Sequence, residues 1–184
     1  MKRKLLILSV LAICIATLAV GSIAFFTSED KAHNVITTGG VEITVQEWAD
    51  ADKTEAFEDL TGIMPGTAVT KIAEIKNTGA SAAWVRVKVD KAIELDGEGT
   101  PDTDMVELDL NTVDWTLGAD GYWYYKVALE PGDVTQPIFT SVTFNATMGN
   151  EYQSATATVD IAAQAVQTAN NGATVMDAMG WPSP

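Results

Sequence analysis

Trp84-Val85-Arg86-Val87-Lys88-Val89-Asp90 is the stretch from which the fold is read. Val85, Val87 and Val89 fall on one side, and Trp84, Arg86, Lys88 and Asp90 on the other. A period of two with β-branched residues on one face describes a strand that lays that face on a core. Just upstream, Asn77-Thr78-Gly79 closes another strand-like run, roughly Ala68 to Lys76, in a turn of the kind that joins antiparallel strands. The two runs are therefore expected to form a hairpin. Met64-Pro65-Gly66 precedes them as a turn, with proline presetting the first corner and glycine accepting a positive φ at the second.

The same alternation recurs outward from this pair. Val41, Ile43 and Val45 alternate with Glu42, Thr44 and Gln46, and Trp48 closes that run. The acidic stretch Ala49 to Leu60 reads as a loop or a short helical turn. Leu95 to Asp109, rich in Asp, Glu, Gly and Thr, reads as an exposed loop. Asp114 to Leu117 reads as a short strand. Trp123, Tyr125, Val127 and Leu129 share one face of the next. Glu130-Pro131-Gly132 repeats the Pro-Gly corner before Ile138 to Ala146, with Val142, Phe144 and Ala146 inward. Ala155, Ala157, Val159, Ile161, Ala163 and Ala165 form the inner row of a long last strand. Ala173 to Met179 reads as a short helix with Val175, Met176 and Met179 on one side, Gly180 at its cap and Pro182 beyond. About seven strands with regular turns point to an all-β protein, a β-sandwich of jelly-roll or immunoglobulin-like type.

The N-terminus has a different character. Lys2-Arg3-Lys4 precede an apolar run from Leu5 to Val20, and small residues follow at Ser22 and Ala24. This is the anatomy of a secretory signal with an A-x-A-like cut. Cleavage between Ala24 and Phe25 leaves a mature chain that begins Phe25-Phe26. The alternative is an uncleaved anchor, because the 22 residues from Leu5 to Phe26 match the ~20 that span a bilayer. The division is thus a signal helix over 1–24, a tail over 25–40 and a sandwich over 41–184. The chain contacts a membrane only before cleavage and is expected at the cell surface or outside the cell.

Composition narrows the function classes. The only cysteine, Cys14, lies in the leader, so the mature part has neither a disulfide framework nor a thiol nucleophile. The formal charge of −14 becomes −17 once the three leader cations are removed. Such a surface repels nucleic-acid phosphates. His33 is the single histidine, and His-Glu-x-x-His is absent, so zinc-protease chemistry lacks its two imidazoles. A Ser-His-Asp arrangement would need the same His33. No catalytic residue and no cofactor is therefore assigned. Asp96, Glu98, Asp102 and Asp104 resemble a calcium loop by composition alone, since Pro101 interrupts the EF-hand spacing and the final glutamate is missing. Alternation turns Tyr122 and Tyr124 outward, where they suit a glycan, a neighbour or cross-strand pairing. Trp84 and Arg86 lie on the outer side of their strand and suit a cation–π pair.

Gly21-Ser22-Ile23-Ala24-Phe25-Phe26-Thr27-Ser28-Glu29 resembles the signal-and-junction motif of the TasA/camelysin (CalY) family. The resemblance extends to Met64-Pro65-Gly66, to Asn77-Thr78-Gly79 through Val87, to Tyr122-Trp123-Tyr124-Tyr125, to Glu130-Pro131-Gly132, to Phe139-Thr140-Ser141-Val142 and to Met179-Gly180-Trp181-Pro182. It implies cutting by a SipW-like signal peptidase, a jelly-roll fold, and self-association into extracellular fibres of a biofilm matrix with related subunits. It also implies that the N-terminal segment of one subunit adds as a strand to the next. Here that segment is Phe25 to about Gly40, with Phe25, Phe26, Val35 and Ile36 as its apolar residues.

Elementary energetics agree with strand donation. Burying each phenylalanine of a free tail gains roughly 1.5–3 kcal/mol. Edge strands offer unpaired amides to an added strand. A head-to-tail contact propagates rather than closes, and cleavage would release the tail to make it. Two other readings stand beside this one. The first is a camelysin-like secreted metalloprotease, for which the sequence supplies no ligand set. The second is a monomeric surface module that binds through Tyr122 and Tyr124.

Overall fold

Alternation builds the strands, and their apolar rows face one another across two sheets. The computed structural model describes residues 36–37, 40–58, 64–152 and 154–182, all within a unit spanning His33–Pro184. The expected signal segment 1–24 lies outside the described residues. Nine strands are described: β1 Ile36–Thr37, β2 Ile43–Trp48, β3 Ala68–Asn77, β4 Ala83–Glu94, β5 Val106–Leu108, β6 Trp115–Leu117, β7 Trp123–Tyr125, β8 Phe139–Phe144 and β9 Thr156–Gln167. One sheet has the order β1-β9-β4-β7-β6 and the other β2-β3-β8-β5. All pairings are antiparallel except β1 with β9. The chain passes repeatedly from one sheet to the other, and this interleaving makes a jelly-roll-like β-sandwich.

The inner rows of β4 and β9 are those the alternation marks out, whereas Phe139 of β8 is buried off the expected Val142–Phe144 row and β3 buries five residues in succession, Lys71 to Ile75. Val85 and Val87 of β4 and Ala163 and Ala165 of β9 meet Ala73 and Ile75 of β3 and Phe139 of β8 in one core. Val41 and Ile43 are buried there too, each 2% exposed. Both Pro-Gly corners form as expected. Gly66 and Gly132 have positive φ, and Thr67 N–H and Asp133 N–H donate to the Met64 and Glu130 carbonyls.

The expected hairpin between β3 and β4 does not form. β3 pairs with β2 and β8, and β4 pairs with β7 and β9, so the two lie in different sheets. Asn77-Thr78-Gly79 is a corner between layers. Asn77 is fully buried, and its Nδ2 donates to the Ser81 carbonyl (2.9 Å) and to the Leu129 carbonyl (2.8 Å). Its Oδ1 accepts from Gly79 N–H (2.9 Å). Thr78 and Gly79 N–H both donate to the Glu42 carbonyl. The approach is so close that a Cβ on residue 79 would lie 2.6 Å from the Glu42 nitrogen. Glycine is required here by proximity, not by a hairpin turn.

Three smaller expectations are also corrected. The supposed loop Leu95 to Asp109 contains a 3₁₀ turn, Thr103–Met105, and β5, whose Val106 is fully buried. Its single inward valine gives no periodic signal. The C-terminal helix is only a 3₁₀ turn, Val175–Asp177. Val175 and Ala178 are buried, whereas Met176 and Met179 are exposed, because the segment lies flat on a sheet and presents its apolar residues where that surface needs them. Val127, at 61% exposed, does not share the inner face with Leu129, and Ala146 is exposed beyond the end of β8.

Asn77 yields the first prediction. Asn77→Ala removes three side-chain hydrogen bonds in a fully buried corner, to the Ser81 and Leu129 carbonyls and from Gly79 N–H, a loss of about 2–3 kcal/mol. Urea denaturation should register it as a lower midpoint with an unchanged slope.

Candidate functional site

Two features stand out around the central strands: the edge of β9 and the outer face of β4, β7 and β9. On the edge, β1 pairs in parallel with β9, Ile36 opposite Gln164 and Thr37 opposite Ala165. The other side of β9 is joined to β4 from Ala83↔Gln167 to Glu94↔Thr156. Among the described residues, the edge of β9 from Thr156 to Ala163 has no strand partner. Of the expected assembly residues, Ile36 therefore lies in an edge strand of the sandwich. Phe25, Phe26 and Val35, the cleavage residue Ala24, and His33 lie outside the described residues.

The outer face is covered rather than open. Trp84, Tyr122, Tyr124 and Val166 form a second apolar cluster with Val175 and Ala178 of the C-terminal segment, and Trp181 packs against it. Tyr122 and Tyr124 are 8% and 7% exposed, which corrects their reading as an outward platform. They do point away from the main core, but the chain's own C-terminus lies over them. Trp84 Nε1 donates to the Asn171 carbonyl (2.9 Å), which fastens the start of that segment.

Arg86 sits at the centre of this layer. Its guanidinium carbon lies 4.0 Å from the ring centre of Tyr122 and 4.6 Å from that of Trp181. The expected cation–π contact is thus made with these rings and not with Trp84. Nε and Nη2 of Arg86 donate to Gln164 Oε1 (2.9 and 2.7 Å). Nη1 donates to Asp120 Oδ2 and to the Tyr124 hydroxyl (both 3.0 Å). Tyr124 in turn donates to Asp120 Oδ2 (2.7 Å). A buried cation is tolerable only when its donors are satisfied and a counter-charge is near, and here both conditions hold.

Asp120 carries the titratable end of the network. Burial pushes its carboxyl upward, but hydrogen bonds from the Tyr124 hydroxyl and the Tyr122 amide and the charge of Arg86 outweigh it, and the net shift is downward. The Tyr124 hydroxyl is raised, by burial first and then by donation to Asp120.

On the second sheet, Lys71 pairs with Glu47 (2.9 Å) and lies 4.2 Å from the Phe57 ring centre. Glu74 accepts from Trp48 Nε1 (3.0 Å) and pairs with Lys53. These charges tie the 49–58 loop to the sheet. At Asp109, burial raises the carboxyl, and hydrogen bonds from the Thr140 hydroxyl and from the Ser141 and Thr140 amides bring the net shift below the ordinary value.

Asp102 Oδ1 accepts from Asp104 N–H (2.9 Å) and caps the 3₁₀ turn, while Asp96 and Glu98 are exposed. Among the described residues, no three His, Cys, Asp or Glu side chains stand together as a metal-binding group. Nor is any helix of theirs long and apolar enough to cross a membrane. Compared with known proteins, the chain matches no family model, no curated protein and no solved structure.

The Arg86 network predicts a pH dependence. Because the folded pKa of Asp120 is below its ordinary 3.8, its contribution is present above that value and is lost as pH falls through the folded value. Asp120→Asn should therefore lower the thermal midpoint at pH 7, and the gap from the parent protein should close as the pH is taken below 4. A gap that persisted undiminished in acid would place the effect outside the carboxylate charge.

Proposed function

We propose that this chain is a secreted structural protein of an extracellular, biofilm-type matrix, assembling into fibres by donating its processed N-terminal strand to a neighbouring subunit. The observation that carries this reading is the parallel pairing of β1 with β9. The paired residues lie about a dozen positions beyond the expected cut. They are held at an edge, where a strand can leave without breaking the sandwich. Gly39-Gly40 follow after one residue, Thr38. Gly40 has a φ of 77°, and nothing lies within 4 Å of where its Cβ would be, so a redirected chain meets no obstacle there. Exchange of an identical element between subunits preserves every contact the element makes and so costs little beyond the hinge. One donor and one acceptor on each subunit give a head-to-tail contact, which propagates.

Chemistry and charge support the same choice. Tyr122 and Tyr124 lie under the C-terminal segment and are not an open aromatic platform. The strongly acidic mature chain disfavours nucleic acid. The junction at Ala24 and Phe25 and its neighbours resemble those of TasA/camelysin proteins, and a SipW-like peptidase would release the tail. Before release the leader holds the tail at the membrane, so cleavage acts as the assembly switch.

The test is electron microscopy of two proteins, one beginning at Phe25 and one at Ile36. Fibres from the first and dispersed particles from the second are expected. Fibres from both, or single molecules from both at high concentration, would overturn strand donation.

A further inference from the structure

The C-terminal segment that lies over the outer face of β4, β7 and β9 is closed in part by Asn171. The backbone carbonyl of Asn171 accepts from Trp84 Nε1 (2.9 Å). Its side-chain Oδ1 accepts from Met179 N–H (2.8 Å), and its Nδ2 donates to the Met179 carbonyl (2.9 Å). A primary amide suits this place because Met179 presents a donor and an acceptor to one short side chain. The next residue is fixed by space. A Cβ on residue 172 would lie 2.8 Å from the Asp177 carbonyl carbon and 2.9 Å from the Ala178 nitrogen, and the φ of Gly172 is 67°, so glycine is required. Two separate structural demands thus place asparagine and glycine side by side. Asn171-Gly172 is the one Asn-Gly pair in the chain.

That pair is also chemically reactive. Asparagine is among the thermolabile residues, and its amide is lost through attack by the following backbone nitrogen. A side chain on the following residue shields that nitrogen, and glycine leaves it open. Gly172 is exposed and Asn171 is half-buried, so water has access to the turn.

We propose that Asn171 is a self-modification site whose deamidation releases the C-terminal segment irreversibly. The Gly172 nitrogen, having given its proton to hydroxide, attacks Asn171 Cγ. A C–N bond forms, the Cγ–Nδ2 bond breaks, and Nδ2 takes a proton from water and leaves as ammonia. Water then opens the five-membered imide at either carbonyl, which gives aspartate or isoaspartate at position 171. While Oδ1 and Nδ2 are both engaged by Met179, the amide is held against the rotation that attack requires. Reaction therefore proceeds from molecules in which the segment has lifted, and neither product closes it again. Aspartate has no Nδ2 donor and sets a carboxylate oxygen against the Met179 carbonyl. Isoaspartate adds a methylene to the backbone and moves the 171 carbonyl away from Trp84 Nε1. Two residues beyond Met179, Trp181 lies 4.6 Å from the Arg86 guanidinium carbon and meets Tyr124 edge to face. Freeing Met179 thus uncovers the layer of Trp84, Tyr122 and Tyr124. Strand exchange plays no part in this.

The test holds protein beginning at Phe25 at mildly alkaline pH and follows its asparagines by peptide mapping with isoaspartate detection. Conversion at Asn171 is expected ahead of Asn145, Asn150 and Asn170. The converted fraction should lose hydrogen-exchange protection at the Met179 amide and the Trp84 indole N–H, with β4 and β9 amides unchanged. Trp84→Phe removes the indole donor and keeps a ring. It should speed conversion about fivefold, the shift in an opening equilibrium that follows from losing about 1 kcal/mol of hydrogen bond. Freshly prepared Asn171→Asp should lack the same two protections without incubation, and its intact β4 and β9 amides would exclude a folding failure. Conversion at Asn171 no faster than at Asn145 or Asn150 would overturn the modification site. Protection retained in the converted fraction or in Asn171→Asp would overturn the release. A rate indifferent to Trp84→Phe would overturn the control by segment opening.

Discussion

The antiparallel ladder between β4 and β9 is the constraint on which the remaining structure depends. It runs unbroken from Ala83↔Gln167 to Glu94↔Thr156 and joins residues far apart in the chain. Its inner face supplies Val85, Val87, Ile161, Ala163 and Ala165 to the main core. Its outer face supplies Trp84, Arg86, Gln164 and Val166 to the second layer. Four consecutive residues of β9, Ala163 to Val166, are buried, because the sheet is covered on both sides at that end. The small alanines of β9 let the facing sheet approach closely, and the bulk of the core comes from Phe139, Ile138 and Trp115.

The second layer explains an apparent excess of aromatic residues on the wrong side of a sandwich. Trp84, Tyr122 and Tyr124 would leave a sizeable apolar patch in water, and such patches are normally covered or functional. Here the segment from Thr168 to Pro182 covers them. Trp181 meets Tyr124 edge to face with ring centres 5.8 Å apart, and its Nε1 donates to the Ala178 carbonyl. Arg86 is held between rings with its polar edge turned to Gln164 and Asp120. The arrangement joins the C-terminus to the strands that carry β9, so the edge strand is fixed from its outer face as well as from β4.

That rigidity bears on the proposed strand exchange. A strand exchanges readily only onto an acceptor that does not itself deform. β9 is anchored through β4 on one side and beneath the C-terminal segment on its outer face. Among the described residues, its remaining edge has hydrogen-bonding capacity to offer, as do the edge strands β2, β5 and β6. β1 takes up two residues of that capacity, opposite Gln164 and Ala165. In the strand-exchange proposal the same edge is the contact that builds a fibre.

How much of this was legible in the chain follows from the range over which each interaction acts. Alternation is local, so the runs around Ile43–Trp48, Ala83–Glu94 and Thr156–Gln167 and their inward rows could be read directly, as could the run from Ala68 and the Pro-Gly corners, but not the faces of β3, where Lys71 to Ile75 are all buried. The all-β class follows from those runs and the turns between them. The acidity and the single cysteine, Cys14, restrict the chemistry in the same direct way. The partner of each strand is a non-local matter. Asn77-Thr78-Gly79 has the composition of a hairpin turn, but the burial of Asn77 against Leu129 and the approach of Glu42 make it a passage between sheets. Val106 stands alone in an acidic stretch, so its strand emerges only once β8 lies beside it. Tyr122 and Tyr124 were correctly turned away from the main core by alternation, yet nothing near them in sequence reveals that Trp181 lies over them. The sequence by itself determined which residues could be strands and which faces were apolar, because those properties repeat over two residues. Tertiary structure alone decided which faces met, because burial is settled by whichever distant segment removes that surface from water.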